Sequence, residues 1–120
     1  MSAGPAEIWR QALDEGKFLL QRAKSSGEVI FPPRLMEPGV GDTDLEWIEA
    51  SGMGTVYSAT VISRKPPEPA YNVVLVDLDE HVRLMSRIDG IAAEQVAIGM
   101  RVRAKIVREG ESSLLVFEVA

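Results

Sequence analysis

The chain has 120 residues, of which 46% are hydrophobic and 26% are charged, and these values exclude a disordered protein. Its 18 acidic and 13 basic residues give a formal charge of −5, which disfavours a general nucleic-acid binder because phosphate contacts need surplus Lys and Arg. It contains no cysteine, and this excludes disulfides, thiol catalysis and thiolate metal sites.

The N-terminal segment, residues 1–22, carries charges throughout, so we expect no signal-peptide core there. No apolar run approaches the ~20 residues that span a membrane, and we therefore expect a cytoplasmic protein. The same segment predicts a helix that begins at Pro5 and ends at Gly16. Its apolar stripe consists of Ile8, Trp9, Ala12 and Leu13. Trp9 either anchors this helix to the rest of the protein or faces a partner or ligand.

Residues 23–45 are rich in glycine and proline, and Val29–Phe31 is their one strand-like piece. The preceding KFLLQ, residues 17–21, suits either a short helix or a strand. Because so short a region cannot hold a core of its own, we expect it to lean on its neighbour.

The rest of the chain predicts five strands with a short helix or turn between the third and the fourth. The first strand is long, with Gly52 and Gly54 suggesting a bulge or a sharp bend. The predicted strands cover residues 45–63, 71–78, 82–88, 100–108 and 112–119. This order is typical of an OB-fold barrel.

A row of basic side chains follows one face of the predicted fourth strand: Arg101, Arg103 and Lys105, extended by Arg108. The row is either a solvated outer face of the barrel or an anion site.

An OB-fold also invites a single-stranded nucleic-acid hypothesis, since such barrels stack bases on aromatic side chains along a basic groove. Three of the seven aromatic residues, Trp9, Phe18 and Phe31, are expected outside the barrel. Most of the other four are expected in its core: Trp47, Tyr57, Tyr71 and Phe117. With the net negative charge, this pattern disfavours nucleic acid.

The only histidine, His81, lies in a predicted hairpin turn close to acidic residues, where it is either solvated or a base or ligand. The sequence shows no Ser/His/Asp arrangement, no paired catalytic carboxylates and no phosphate-binding loop. We therefore expect no catalytic residue in this chain.

Several segments in order resemble one known family. They are EGKFLLQRAKSSG (15–27), FPPR (31–34), EPGVG (37–41), EWIEASGMGTVYS (46–58) and IGMRVRAKI (98–106). Together they resemble the zinc-ribbon/OB-fold proteins called domain of unknown function thirty-five, over nearly the whole chain. The resemblance implies a mainly β protein: an N-terminal helix (1–22), a degenerate rubredoxin-like zinc ribbon (23–45) and a five-stranded OB-fold domain (46–120).

The four metal-ligand cysteines of that family fall on Ala23, Ser26, Glu37 and Val40. Structural zinc needs four donors, typically thiolate or imidazole, and these four side chains cannot supply them. We predict a ribbon without zinc, held by packing or by a partner.

The resemblance implies a non-catalytic accessory subunit beside a thiolase-like or other acyl-CoA enzyme in lipid metabolism, with CoA or acyl-CoA as ligand. The residues expected to contact the partner or ligand are Trp9, Arg22, Phe31, Pro32, Pro33, Arg34 and Arg64. For Arg34 the alternative is ribbon packing or a salt bridge, and for the prolines a rigid turn. Two other functions stay open: a free-standing CoA or nucleotide binder, and a single-stranded nucleic-acid module.

Overall fold

A computed structural model describes residues 4–34 and 44–120 of the protein. Its helix, α1 (Pro5–Asp14), begins with proline in the first turn and has Glu7 near its positive end. Gly16 follows the helix with a φ of +81°, a left-handed conformation that suits glycine. Ala12 and Leu13 are buried, so the apolar stripe packs inward as predicted.

A three-stranded sheet follows, formed by β1 (Leu19–Ala23), β2 (Val29–Ile30) and β3 (Leu45–Glu49). Both neighbours pair antiparallel with the central strand β1. The KFLLQ segment, for which the sequence allowed a helix or a strand, therefore leads into a strand. Residues 35–43, which hold Glu37 and Val40, lie outside the described residues.

The predicted long strand over 45–63 is two strands in different sheets. The chain turns at Gly52, whose φ is +80°, and β4 (Met53–Ile62) enters a second sheet. The neighbouring strand approaches most closely at Gly54. A Cβ on this residue would lie 2.7 Å from Val76 Cγ1 and 2.9 Å from the Asp77 carbonyl oxygen. The bulge predicted near these glycines lies further on, between Val56 and Ser58.

The second sheet has six strands in the order β6-β5-β4-β8-β9-β7. Besides β4 they are β5 (Tyr71–Leu78), β6 (Arg83–Ser86), β7 (Ile88–Asp89), β8 (Arg101–Glu109) and β9 (Ser112–Val119). A 3-10 helix, Ala93–Gln95, connects β7 to β8. The mainly β OB-fold prediction is confirmed.

The predicted third strand is split, and its two halves lie at opposite ends of the sheet order. β6 pairs antiparallel with β5, whereas β7 pairs parallel with β9. Only Arg87 separates them, so the sheet curves until its ends are neighbours. The result is a six-stranded curved sheet, not the closed five-stranded barrel that was predicted.

One hydrophobic core joins the two sheets. Leu20 in β1 and Phe18 just before it belong to the same buried cluster as Val56, Val102 and Phe117 from the second sheet. Phe18 was expected outside the barrel, and this was wrong. Burial of apolar side chains in a shared core holds the three-stranded sheet against the second sheet.

Most of the four aromatic residues of the predicted barrel were expected in its core, but three of the four are at least partly exposed. Phe117 is fully buried, but Tyr57 is 49% exposed, Tyr71 is 39% exposed, and Trp47 is half-buried.

The predicted boundaries after residues 22 and 45 fall in β1 and β3, which pair with each other. The three-part division stays a prediction. Within the described ranges, no helix is long and apolar enough to cross a membrane.

Candidate functional site

Hydrogen bonds close the turn after β1. The Ala23 N–H donates to the Glu28 carbonyl (2.9 Å), and the Gly27 N–H donates back to the Ala23 carbonyl (2.8 Å). The Ser26 hydroxyl accepts from the Glu28 N–H at 3.2 Å. These bonds give the turn its outline.

The four family ligand positions do not fit zinc. Ala23 is fully buried and its methyl group has no donor atom, and Val40 likewise carries only hydrocarbon. Within residues 4–34 and 44–120, no group of three or more acidic or histidine side chains is placed to hold a metal ion. The structural role of the ion has to be filled by other contacts.

Gln21 provides one such contact, which the sequence analysis missed. Its side chain is buried in β1; Nε2 donates to the Arg34 carbonyl (2.8 Å) and Oε1 accepts from the Arg34 N–H (2.6 Å). The amide thus holds the Phe31–Arg34 segment as a neighbouring strand would. The one signal in the sequence for this contact is that Gln21, a polar amide, lies between the apolar residues Leu20 and Ala23.

Trp9 and Phe31 come together over the core. The Trp9 indole N–H donates to the Leu19 carbonyl at 2.9 Å, and the two rings meet edge to face with centroids 5.6 Å apart. The helix is therefore tied to β1 and to the segment after β2. Trp9 anchors α1 and also lies at the candidate site.

Two grooves meet at Phe31. The helix groove, about 600 Å³, lies between α1, β6 and β9. The strand groove, about 530 Å³, is lined by β2, Phe31, Arg34 and the start of β6. Pro32 is exposed and Pro33 is half-buried between Phe31 and Arg34. Of the predicted residues, the structure brings together Trp9, Phe31, Pro32, Pro33 and Arg34.

The three arginines predicted to contact ligand have different surroundings. Arg22 pairs with Glu46 on the outside of the first sheet. Arg64 lies over the Tyr71 ring, 4.3 Å from its centroid, and 3.7 Å from Glu68. The guanidinium of Arg34 has no ion-pair partner within the described ranges. Among the described residues, Arg34 is thus the one of the three without an ion-pair or cation–π contact.

The basic row on β8 is compensated by acidic side chains. Arg101 donates two hydrogen bonds to Asp79 (2.8 and 3.0 Å), which lower the pKa of that carboxyl. Arg103 lowers the pKa of Glu118 in the same way. Lys105 approaches Glu118 within 3.8 Å. The row is a paired outer face, and these pairs disfavour phosphate binding along β8.

No catalytic arrangement is evident in the part of the chain that the structure describes. The carboxyl groups with a lowered pKa are those facing arginines, which keeps them ionised without making them general bases. His81 is exposed in the turn after β5 with a φ of +68°.

Comparisons with known proteins show which family this chain resembles. A family model described as the ChsH2 C-terminal OB-fold domain matches residues 47–107. A probable enoyl-CoA hydratase alpha subunit of Thermomonospora curvata is 36% identical over 99 residues, covering 79% of this chain. The chain spans only 31% of that relative's length.

Two further relatives match from end to end. A DUF35 domain-containing scaffold protein of Methanocaldococcus jannaschii is 29% identical over 91% of this chain and 83% of its own. A chain of the solved structure named Ltp2-ChsH2(DUF35) aldolase superimposes with a TM-score of 0.86 at 32% identity. That match covers 98% of this chain and 96% of the other.

Proposed function

The chain belongs to the DUF35 OB-fold family, and we propose that it acts as a cytoplasmic, non-catalytic accessory subunit of a thiolase-like or other acyl-CoA enzyme. The observation that carries this proposal is the end-to-end likeness to a chain of a complex named for Ltp2 and ChsH2(DUF35). The relative named a scaffold protein supports the same role.

The outer face of β4 and β5 is the surface we propose for the enzyme. Strand alternation turns Tyr71 and Asp77 outward near the two ends of β5, and Tyr57 is exposed near Asp77. Arg83 lies 3.4 Å from the Tyr57 ring centroid and pairs with Asp77, while Arg64 covers Tyr71. Tyrosine and arginine are the residues that most often dominate interface energies, and the paired charges leave this face near neutral.

Co-purification of the tagged chain with the acyl-CoA enzyme encoded beside it tests this role. We expect a stable complex and changed activity of that enzyme. The double variant Tyr57→Ala with Tyr71→Ala should bind at least tenfold more weakly, whereas Val119→Ala, a comparably exposed residue on β9, should bind normally. A chain that stays alone and leaves the enzyme unchanged would refute the proposal.

We further propose that the Phe31 surface holds the CoA part of the substrate. Arg34 supplies a cation for a phosphate. The Gln21 amide holds the Arg34 backbone by two hydrogen bonds, so the Arg34 side chain extends from a fixed position. The rings of Trp9 and Phe31 offer apolar contact to the pantetheine arm. Arg22 and Arg64 are engaged elsewhere and contribute less.

Thermal unfolding with and without CoA tests this part, since a ligand of the folded state raises its stability. Arg34→Gln should lose the CoA-dependent rise in melting temperature, and Arg22→Gln should keep it. A rise seen with the isolated chain would favour the free-standing CoA binder. A rise seen only in the enzyme complex would favour the accessory subunit, and no rise in either would refute CoA binding.

A further inference from the structure

The second half of β4 has a neighbouring strand on one side only. Its first residues, Met53–Thr55, pair with β8 on the edge opposite β5. The Val56 N–H then donates to the Met100 carbonyl (3.0 Å), and the Gly99 N–H donates to the Val56 carbonyl (2.8 Å). Among the described residues, the rest of β4 pairs with β5 alone, over Ser58–Ile62. These five residues form an open edge of the second sheet, which we call the β4 edge.

Strand alternation determines which backbone groups the β4 edge presents. The Leu78 N–H donates to the Val82 carbonyl (2.8 Å) on the β6 side of β5, so the odd-numbered residues of β5 face β4 instead. Their partners on this part of β4 are Ser58, Thr60 and Ile62. Ala59 and Val61 therefore direct their N–H and C=O groups to the open side. No hydrogen bond among the described residues reaches these groups.

The β4 edge is poorly protected against pairing with another chain. Proteins usually protect an unpaired strand with charged side chains, proline or a bulge. Residues 56–63, VYSATVIS, carry neither charge nor proline, and the bulge lies at the start of the edge, between Val56 and Ser58. Val61 is 43% exposed, and Ile98, next to Gly99 at the same end as the bulge, is 72% exposed. Backbone groups and apolar side chains are thus both open to a partner.

We propose that the β4 edge pairs antiparallel with the β4 edge of a second copy of this chain, around a twofold axis at Thr60. This register places Ala59 opposite Val61 of the other copy, so every outward N–H meets a C=O. Thr60 meets its own copy, and Ser58 lies opposite Ile62. A second copy fits because the two outward residues have the same spacing on both strands. The uncharged segment also brings no like charges together.

This pairing would join the second sheets of the two copies edge to edge. Hydrogen bonds between strands lie in the plane of a sheet, so the outer face of β4 and β5 stays open. Tyr57 and Tyr71 of both copies would then remain available for an enzyme. The inference does not rest on the proposed function, because the edge can pair whether or not an enzyme binds.

Sedimentation equilibrium of the whole chain between about 10 µM and about 1 mM tests the pairing, since so short a ladder gives a weak dimer. We expect monomer and dimer without larger species, because a twofold contact is closed. Val61→Pro removes an outward N–H but keeps the bonds to β5, and it should weaken the dimer at least tenfold. Val61→Thr keeps that N–H and should dimerise normally. Circular dichroism checks that both variants fold.

Thr60 is exposed and tests the register without proline. Thr60→Lys and Thr60→Glu should each weaken the dimer at least tenfold, because like charges meet at the axis. An equal mixture of the two variants should restore it. Since the chain has no cysteine, Thr60→Cys should form a disulfide between copies under mild oxidation. Ser58→Cys is the matched control and should cross-link far more slowly, because Ser58 lies opposite Ile62.

Three results would overturn the proposal. The first is a chain that stays monomeric at about 1 mM. The second is a dimer that the Val61→Pro and Thr60 variants leave unchanged, or equal cross-linking of the two cysteine variants. The third is slowed amide exchange at Ala59 and Val61 in the enzyme complex but not in the concentrated isolated chain, which would assign the edge to the enzyme. Enzyme binding by a strictly monomeric chain would leave the proposed function intact and refute only the pairing.

Discussion

Replacing Gln21 by leucine should loosen the Phe31–Arg34 segment and destabilise the protein. The change removes two hydrogen bonds, at 2.8 and 2.6 Å, between a buried amide and the Arg34 backbone. Each such bond contributes about 0.5–1.5 kcal/mol net. Because Arg34 is exposed and water can reach its backbone, we expect the free energy of unfolding to fall by about 1–2 kcal/mol.

Urea unfolding followed by circular dichroism measures this loss, and amide hydrogen exchange measures it locally. A loss of this size should lower the melting temperature by roughly 5–10 °C in a domain of this length. The Arg34 amide should exchange faster in the variant, because its acceptor is gone. Gln11→Leu is the control, since Gln11 is an exposed helical residue without a side-chain hydrogen bond within the described ranges.

Two results would contradict this reasoning. Equal unfolding midpoints for the Gln21 and Gln11 variants would show that the amide does not hold the segment. Unchanged exchange at Arg34 with a lowered midpoint would show that the loss comes from core packing instead.

Four other changes have defined outcomes. Asn72→Leu should cost about 2–4 kcal/mol in the urea assay, because Asn72 bonds both the carbonyl (2.8 Å) and the N–H (2.7 Å) of the buried Ile88. Gly54→Ala should cost about 1–3 kcal/mol or more by the same measurement, since its new methyl group would collide with Val76. Chelator should leave the melting temperature unchanged, and elemental analysis should find no stoichiometric zinc; a metal-dependent melting temperature would contradict the hydrogen-bonded ribbon. The free energy of unfolding should not change with pH above the ordinary carboxyl pKa, and it should fall as pH drops through the lowered pKa of Asp79. In 1 M salt this decrease should be smaller, because the Asp79–Arg101 pair is exposed and salt screens it.

The sequence predicted best the elements that depend on local pattern. Residues 71–78 and 112–119 were expected as strands and are strands with the same bounds. The helix is also where proline, an apolar stripe and glycine placed it. Alternation, capping and turn chemistry act over a few residues, so a single sequence carries that information.

The errors concern which elements meet. The stretch over 45–63 reads as one strand, yet its first part pairs with β1 and its second with β5 and β8. Phe18 lies outside the predicted OB-fold in sequence but inside the common core in space. Most aromatic residues of the predicted barrel were expected in its core, yet Tyr57 and Tyr71 are exposed and lie beneath arginines. Pairing partners and strand faces depend on contacts between distant segments, which local pattern does not record.

The absence of cysteine alone determined that this chain cannot hold a thiolate metal site, and alternation alone determined that it is mainly β. Only the tertiary structure decided which contacts hold the turn-rich segment. Gln21 meets Arg34 across 13 positions, and Asp14 meets Ser113 across 99. Such contacts form once the shared core has brought the helix and the two sheets together, because side-chain hydrogen bonds need their partners within about 3 Å.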